Sequence, residues 1–577
     1  MRKRLAVVTM FWLWLAACGG DDDAPSMEPD AATPAAPDAG PPGPDAGTDE
    51  MPPDAAPPDA APTDAAPPDA APMEPDGGPA GPTIETVETE GGFTQVRQGD
   101  AVRLVVTGQN LEGVTRLVVS GFVIYPLAVT ATDVRAWIEA PHGLAFGPRD
   151  VTVSGPDGSD SEPGAIEVTP YVVAPRALRD GHGTFQSPLY LCDDEVETAR
   201  AGDTILLLDG QHVCDDAVDL GEGGQIVQGQ GRSTTTLGSD DRASSGNFEI
   251  RLPFSKRVVT TFRDLAMRTL PPLDRGAIDL AGDGALVVER VTFRASAIRI
   301  AGDCPLCETA VTVRESSFLG AIGIKAAGRT RVDVADSVFT AAAIGIEANG
   351  GRVSIARTTF DRCFVGVFLD RGDGEPARAE ILDSAFPDNQ TGILLRAGRL
   401  AITGSSIEDT EAPGGSTRGI HIDGGGVLEA TRVTIAGQEV SGIEAFVSRA
   451  RVDSASVTLR DVLIDGGQYG VRLRGSSEGG GLFMTSTTVR DQTVAAVSYG
   501  FARAVGYDFR GGNQLSAVSG GSAVALEDAR VDPLFADPIP AAGIRLNGRS
   551  PPAGVVPGPT EQLPDYRIVD PRSAIEF

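Results

Sequence analysis

Val288-Glu289-Arg290-Val291-Thr292-Phe293, Val313-Arg314-Glu315-Ser316-Ser317-Phe318, Val334-Ala335-Asp336-Ser337-Val338-Phe339, Ile355-Ala356-Arg357-Thr358-Thr359-Phe360 and Ile381-Leu382-Asp383-Ser384-Ala385-Phe386 are one motif written five times. Ile407, Ile435, Ile464 and Val489 continue its last, apolar position, at intervals of 21 to 29 residues from Phe293 onward. That spacing is the length of a solenoid coil and is too loose for a heptad. A second pattern keeps step with the first: Gly323-Ile324-Lys325-Ala326, Gly345-Ile346-Glu347-Ala348, Gly366-Val367-Phe368-Leu369, Gly392-Ile393-Leu394-Leu395, Gly419-Ile420-His421-Ile422, Gly442-Ile443-Glu444-Ala445 and Gly470-Val471-Arg472-Leu473. Two short strands per coil predict a β-solenoid. Strands of successive coils then stack in parallel about 4.8 Å apart, and the apolar anchors form an internal column. Leucine-rich repeats share the period, but their Leu-rich consensus with its Asn is missing.

These repeats resemble the right-handed parallel β-helix family, which includes polysaccharide lyases, some glycosidases and many bacterial surface proteins. The opening Asp180-Gly181-His182-Gly183-Thr184, with Ala201-Gly202-Asp203-Thr204-Ile205-Leu206-Leu207-Leu208-Asp209-Gly210, looks like the start of bacterial proteins of this kind. Val531-Asp532-Pro533-Leu534-Phe535, Ile544-Arg545-Leu546 and Arg549-Ser550-Pro551 resemble their closing segment. The resemblance spans about 175 to 555 and implies an all-β chain with a parallel β-helix of about 11 to 13 coils over 174–555 and a tail over 556–577.

Working toward the N-terminus, residues 82–172 carry short alternating runs: Val102-Arg103-Leu104-Val105-Val106, Arg116-Leu117-Val118-Val119, Val134-Arg135-Ala136-Trp137-Ile138 and Val151-Thr152-Val153. Gly, Asn and Asp turns separate them, which predicts an antiparallel β-sandwich. Pro82-Thr83-Ile84, Val106-Thr107-Gly108-Gln109-Asn110-Leu111 and Gly147-Pro148-Arg149-Asp150-Val151-Thr152-Val153 with Gly155-Pro156-Asp157-Gly158 resemble the IPT/TIG immunoglobulin-like module. Such modules are spacers or binding domains, so no catalysis is implied there.

Residues 19–81 cannot bury a core. They are nearly all Pro, Asp, Ala and Gly, with PPDAAPPDAAPTDAAPPDAAP at 52–72 and no Lys or Arg. Frequent Pro favours polyproline II, and like charges at Asp54, Asp59, Asp64 and Asp69 repel, so a stiffened tether is expected. Residues 1–18 place Arg2, Lys3 and Arg4 before an apolar run too short to span a bilayer comfortably, which reads as a signal peptide. Its end, Leu15-Ala16-Ala17-Cys18, resembles the bacterial lipoprotein signal box, and the resemblance implies lipidation at Cys18 and an exported outer-membrane lipoprotein, anchored through its acyl chains and facing the cell surface. An ordinary secretory signal that happens to contain Cys is the plainer reading.

The formal charge of −32 argues against nucleic acid as a partner, because a polyanion needs a basic face. The tether alone holds 12 Asp and 3 Glu, so the folded part is less acidic than the total suggests.

Five cysteines remain besides Cys18, in an oxidising context if the chain is exported. Cys192 and Cys214 flank the first long strand and are a candidate disulfide. Cys304-Pro305-Leu306-Cys307 has the spacing of redox and zinc motifs, but no second Cys pair or nearby His completes a four-ligand site, so a local disulfide is the simpler reading. Cys363 follows the anchor Phe360 by three residues, as a corner residue of the coil or a partner for that loop.

In the Gly-Ile-x-Leu strands the residue between the apolar pair faces outward if the period is two. One outward column is Lys325, Glu347, Phe368, Leu394, His421, Glu444 and Arg472; the next is Asn349, Asp370, Arg396, Asp423, Phe446 and Arg474. Asp370 and Asp423 fall two coils apart, about 10 Å, near the upper end of the carboxylate separation of inverting glycosidases. His421 and Arg396 lie beside them as candidate catalytic residues, and the turn Asp370-Arg371-Gly372-Asp373 could offer Asp370 and Asp373 to calcium. Against this stands the ordinary behaviour of a β-helix surface, where charges alternate in sign because ladders of like charge are unfavourable. The polygalacturonase motif set is absent, Gly181-His182-Gly183 lies in the opening turn, and all three Trp precede the repeats. The expected function is therefore a non-catalytic surface module that binds polysaccharide or another envelope component, or one that serves only as a structural envelope spacer. A divergent polysaccharide lyase or glycoside hydrolase is the alternative.

Overall fold

The computed structural model describes residues 80–125, 127–175, 181–214, 217–221, 223–238, 250–254, 257–268, 277–295, 297–301, 308–320, 322–372, 375–409, 416–447, 455–478, 480–503, 506–510, 514–517, 522–526, 530–531, 545–546, 566–568 and 574–575. The expected signal peptide over residues 1–18 with Cys18, the expected tether apart from Ala80 and Gly81, the pair Cys304 and Cys307, and Asp373 lie outside the described residues.

Three parallel sheets of 14 strands each form the solenoid. The first runs from Tyr171–Val173 to Gly506–Arg510, the second from Gly210–His212 to Arg545–Leu546, and the third from Val218–Asp219 to Tyr566–Ile568. After the pairing of Tyr171–Val173 with Thr204–Leu207, neighbours within each sheet are three strands apart in the chain, so each coil from Thr204 to Leu526 gives one strand to each sheet. With its parallel crossovers the chain is a right-handed parallel β-helix. Among the described residues 13 coils, from Thr204–Leu207 to Ser522–Leu526, give a strand to all three sheets, in agreement with the 11 to 13 coils expected.

The expectation of two strands per coil is corrected to three. What reads as one hexapeptide strand is two strands bent at a single residue: Ala285–Glu289 and Thr292–Arg294 meet at Arg290, whose φ is 53°. Glu315, Asp336, Arg357 and Asp383 repeat the bend at φ between 47° and 51°. A left-handed non-glycine residue costs about 1 to 2 kcal/mol, and the following hydroxyls offset it. The Oγ of Ser316, Ser337 and Ser384 each donates to the carbonyl two residues back, and each accepts a backbone N–H from the preceding coil. This corner ladder explains why Ser or Thr stands two positions before Phe318, Phe339, Phe360 and Phe386, a place that Val291 takes before Phe293.

The anchors fill the interior. Phe293, Phe318, Phe339, Phe360 and Phe386 stack with centroids 4.5 to 4.8 Å apart and planes within 7°. Ile407, Ile435, Ile464 and Val489 prolong the column, all buried. The glycine of Gly-Ile-x-Leu follows from the same packing: a Cβ on Gly345 would lie 2.5 Å from the Gly366 carbonyl oxygen and 2.6 Å from the Phe360 ring. Cys363 is buried at a corner, its backbone N–H donating to Asn389 Oδ1 at 2.7 Å, and burial pushes its thiol up to about 12.

Residues Thr83 to Thr169 form two facing sheets. One contains Thr83–Thr89, Ala101–Gln109, Asp133–Glu139 and Val123–Ile124, with Ala128–Val129 at its side. The other contains Gln95–Arg97, Gly158–Thr169, Gly147–Gly155 and Arg116–Val119. Leu104, Val106, Val134, Ile138, Val151 and Val153 are buried between them. Pro170 alone separates this sandwich from the first solenoid strand. Asp203, wholly buried, accepts from the backbone N–H groups of Gly143 at 3.1 Å and Arg200 at 2.8 Å and lies 2.6 Å from His142 Nδ1. The Arg97 guanidinium sits 4.4 Å over the Tyr171 ring. Cys192 and Cys214 are disulfide-bonded with Cα atoms 5.8 Å apart, stapling the first coil at this end.

Candidate functional site

The outer face of the third sheet carries the residues singled out from the sequence. Period two aims the middle residue of each Gly-Ile-x-Leu strand outward, and parallel register then puts His421 against Glu444 and Glu444 against Arg472. Leu395 pairs with Ile422, so Arg396 falls between the coils of Asp370 and Asp423.

Arg396 spans the two aspartates. Its Nη1 lies 3.8 Å from Asp370 Oδ2 and its Nε 3.8 Å from Asp423 Oδ2, while its guanidinium sits 5.1 Å from the centre of the Phe368 ring. Asp370 Oδ1 also accepts the Arg371 backbone N–H at 2.7 Å. The three side chains form an ion row across three successive coils, with the guanidinium between the two carboxylates.

His421 has a different companion. Its Nδ1 is 3.6 Å from Glu444 Oε2, and the same oxygen accepts from Arg418 Nε at 2.6 Å. Arg472 Nη1 stands 3.9 Å from Glu444 Oε1, and its guanidinium stacks 4.2 Å over the Tyr469 ring. Glu444 is only 1 % exposed although it points outward. The expectation that this whole column faces solvent is thus corrected at Glu444 and at Glu347, which is also buried beside Lys325 Nζ at 3.4 Å and Asn349 Nδ2 at 3.1 Å. A buried carboxylate must be paired to stay charged, and cations in adjacent strands provide that pairing. Glu444 stood out in the sequence only as a member of a column. The available signal was the pair of basic side chains, His421 and Arg472, one coil to either side.

Similar ladders line the corners. Arg357 and Asp336 form two hydrogen bonds of 2.7 Å, and Arg290 and Asp264 two of 2.6 and 2.9 Å. In each case the guanidinium hydrogen bond holds the carboxyl below the usual range. Sign alternation between coils therefore recurs at these corners, and the Asp370, Arg396, Asp423 row is a further instance of it, whereas Arg331, Arg352, Arg378 and Arg399 stack in register as a like-charged ladder on the first sheet. Among the described residues no group of three or more His, Cys, Asp or Glu is arranged to hold a metal ion. Of the two proposed calcium ligands only Asp370 is among the described residues.

No protein-family profile and no curated protein matches the chain. Solved structures similar to it include the catalytic unit of a thermostable GH87 α-1,3-glucanase from Streptomyces thermodiastaticus strain HF3-3, at 12 % identity over 77 % of this chain and 88 % of that one, with a TM-score of 0.38. The family 28 exopolygalacturonase of Yersinia enterocolitica is similar at 10 % identity, over 82 % and 100 %, with a TM-score of 0.31. The A-module of the Azotobacter vinelandii mannuronan C-5 epimerase AlgE6 is similar at 15 % identity, over 59 % and 93 %, with a TM-score of 0.30. At such identities and scores no residue role passes from those enzymes to this chain.

Proposed function

We propose that this chain is a cell-surface lipoprotein, held to the outer membrane through Cys18 and the 19–81 tether, that presents an IPT/TIG-type sandwich and a β-helix as a non-catalytic module binding extracellular polysaccharide or a neighbouring envelope component. The observation that carries the reading is Arg396, 3.8 Å from each of Asp370 and Asp423, which occupies the space between the two carboxylates best placed for sugar hydrolysis. Around it the third sheet offers Phe368, Tyr469, His421 and Arg472, a mix of ring faces and hydrogen-bond donors suited to holding a sugar chain without cutting it.

A second reading, a divergent polysaccharide lyase or glycoside hydrolase, is favoured by one observation: the buried Glu444 beside His421 and Arg418. Incubating the full chain with a polysaccharide panel, with and without calcium, separates the two. Release of reducing ends or of unsaturated product, lost in Glu444→Gln or in Asp370→Asn with Asp423→Asn, would refute the binding reading. Retention on a polysaccharide without turnover, weakened by Arg396→Ala, is the expected result.

A further inference from the structure

The strand Asp133–Glu139 buries Val134, Ala136 and Ile138 in the sandwich core and turns Arg135, Trp137 and Glu139 outward. Trp137 is 52 % exposed, unusual for the largest apolar side chain, and it is the one tryptophan beyond residue 14. Its cross-strand neighbours extend the same outward row. Arg103 pairs with Trp137 on one side, and on the other the Tyr125 backbone N–H donates to the Trp137 carbonyl at 2.9 Å. Tyr125 is itself 45 % exposed, and its hydroxyl donates to Glu139 Oε2 at 2.5 Å, which fixes the ring in place. Arg103 is fixed in turn by Glu90, 3.2 Å away.

We infer that this face of the sandwich is a binding site for a neutral polysaccharide, with Trp137 and Tyr125 as the stacking platform for pyranose rings. Opposed positions on neighbouring strands lie about 5 Å apart at Cβ, so the two rings are close enough to serve one sugar chain. An aromatic ring covers the C–H face of a pyranose while polar groups at its margin take the hydroxyls. Glu139 and Arg103 stand at that margin as acceptor and donor.

Size and charge select this occupant. A stable protein interface buries roughly 800 Å² on each partner, whereas the exposed apolar side chains of this row are Trp137, Tyr125 and the adjacent Val123, bounded by Glu90, Arg103, Arg135 and Glu139. An anionic lipid surface or a polyuronate needs net positive charge, and here Glu90, Asp133 and Glu139 outnumber Arg103 and Arg135, with Arg135 paired to Asp133 at 2.9 Å, on a chain of net charge −32. A thin, uncharged ligand with hydroxyl groups fits what remains. This site is built from other residues than the third-sheet face and does not rest on the reading given for it.

Pull-down of the full chain in detergent on insoluble neutral glucans, mannan and xylan, with pectate and alginate as polyanions, tests the proposal. Retention on at least one neutral polysaccharide is expected, reduced tenfold or more by Trp137→Ala and severalfold by Tyr125→Ala, and largely kept by Trp137→Phe. Circular dichroism confirms that each variant is folded. In the chain from Cys18 onward, where Trp137 is the one tryptophan, soluble oligosaccharides of the bound polymer should shift the tryptophan emission. Arg396→Ala should leave that shift intact, which separates this site from the solenoid face. Retention of Trp137→Ala equal to that of the parent on every polymer, binding to polyanions alone, or an emission that no neutral sugar moves would overturn the inference.

Discussion

His142 Nδ1 lies 2.6 Å from Asp203 Oδ2, an ion pair or charge-assisted hydrogen bond between a turn of the sandwich and the first coil of the β-helix. Asp203 has no exposed surface and also receives the Gly143 and Arg200 backbone N–H groups, so one carboxylate ties the cap to the solenoid.

Asp203→Ala leaves these donors without their acceptor in a buried place, and a loss on the order of 3 kcal/mol is expected. His142→Ala, which removes one of three contacts from a partly exposed position, should cost less. Limited proteolysis between residues 170 and 205 is the direct readout. Equal resistance of Asp203→Ala and the parent chain would show that the cap is held by other contacts.

Gly366→Ala tests the packing reason for the Gly-Ile repeat. An added Cβ would sit 2.5 Å from the Gly392 carbonyl oxygen and 2.9 Å from the Phe386 ring. Overpacking of this kind costs about 1 to 3 kcal/mol, and Phe360→Ala, which opens the aromatic column, about 3 to 5 kcal/mol. Chemical denaturation followed by circular dichroism should rank Phe360→Ala below Gly366→Ala and both below the parent. A Gly366→Ala midpoint at or above that of the parent would contradict the steric account.

Asp264 and Asp336 are held below the ordinary carboxylate range by Arg290 and Arg357. A carboxyl lowered in the folded state contributes stability that is fully present above its unfolded value near 3.9 and is lost as pH falls through the folded value. Carboxyl NMR titration should place both midpoints below about 3.9, and Arg357→Ala should return Asp336 alone toward that value. The Arg357 pair is exposed and the Arg290 pair half-buried, so molar salt should weaken the shift of Asp336 more than that of Asp264. A titration of Asp336 unchanged by Arg357→Ala would refute the pairing.

Burial pushes the Cys363 thiol up to about 12. At pH 8 the thiolate, the reactive form, is scarce and enclosed. Alkylation with iodoacetamide followed by peptide mapping should leave Cys363 unmodified in the folded chain and modify it fully in denaturant. Rapid modification under native conditions would mean that the corner opens.

Much of the architecture was readable because a solenoid writes its fold locally. Phe293, Phe318, Phe339, Phe360 and Phe386 recur at coil length, and each must point inward, so their spacing alone announces the column. The bend at Arg290 was not readable, since Arg, Glu, Asp and Ala all occupy left-handed corners here and none marks one by type. Of the outward residues, Asp370, Arg396 and Asp423 were placed on one row by period two, but their contact depends on side-chain reach across coils. Glu444 was indistinguishable from Glu347 or Lys325 as a letter in the same column.

Residue pattern by itself determined the parallel stacking, the inward anchors and the presence of a sandwich ahead of them, because alternation and period act within a few residues along the chain. Only the tertiary structure decided that Arg396 lies between two aspartates, that Glu444 is buried among Arg418, His421 and Arg472, and that Asp203 joins the two folded parts. These partners lie some 20 to 60 residues apart in sequence, and their meeting is set by the register of one coil upon the next and by the seating of the cap, neither of which leaves a mark in local composition.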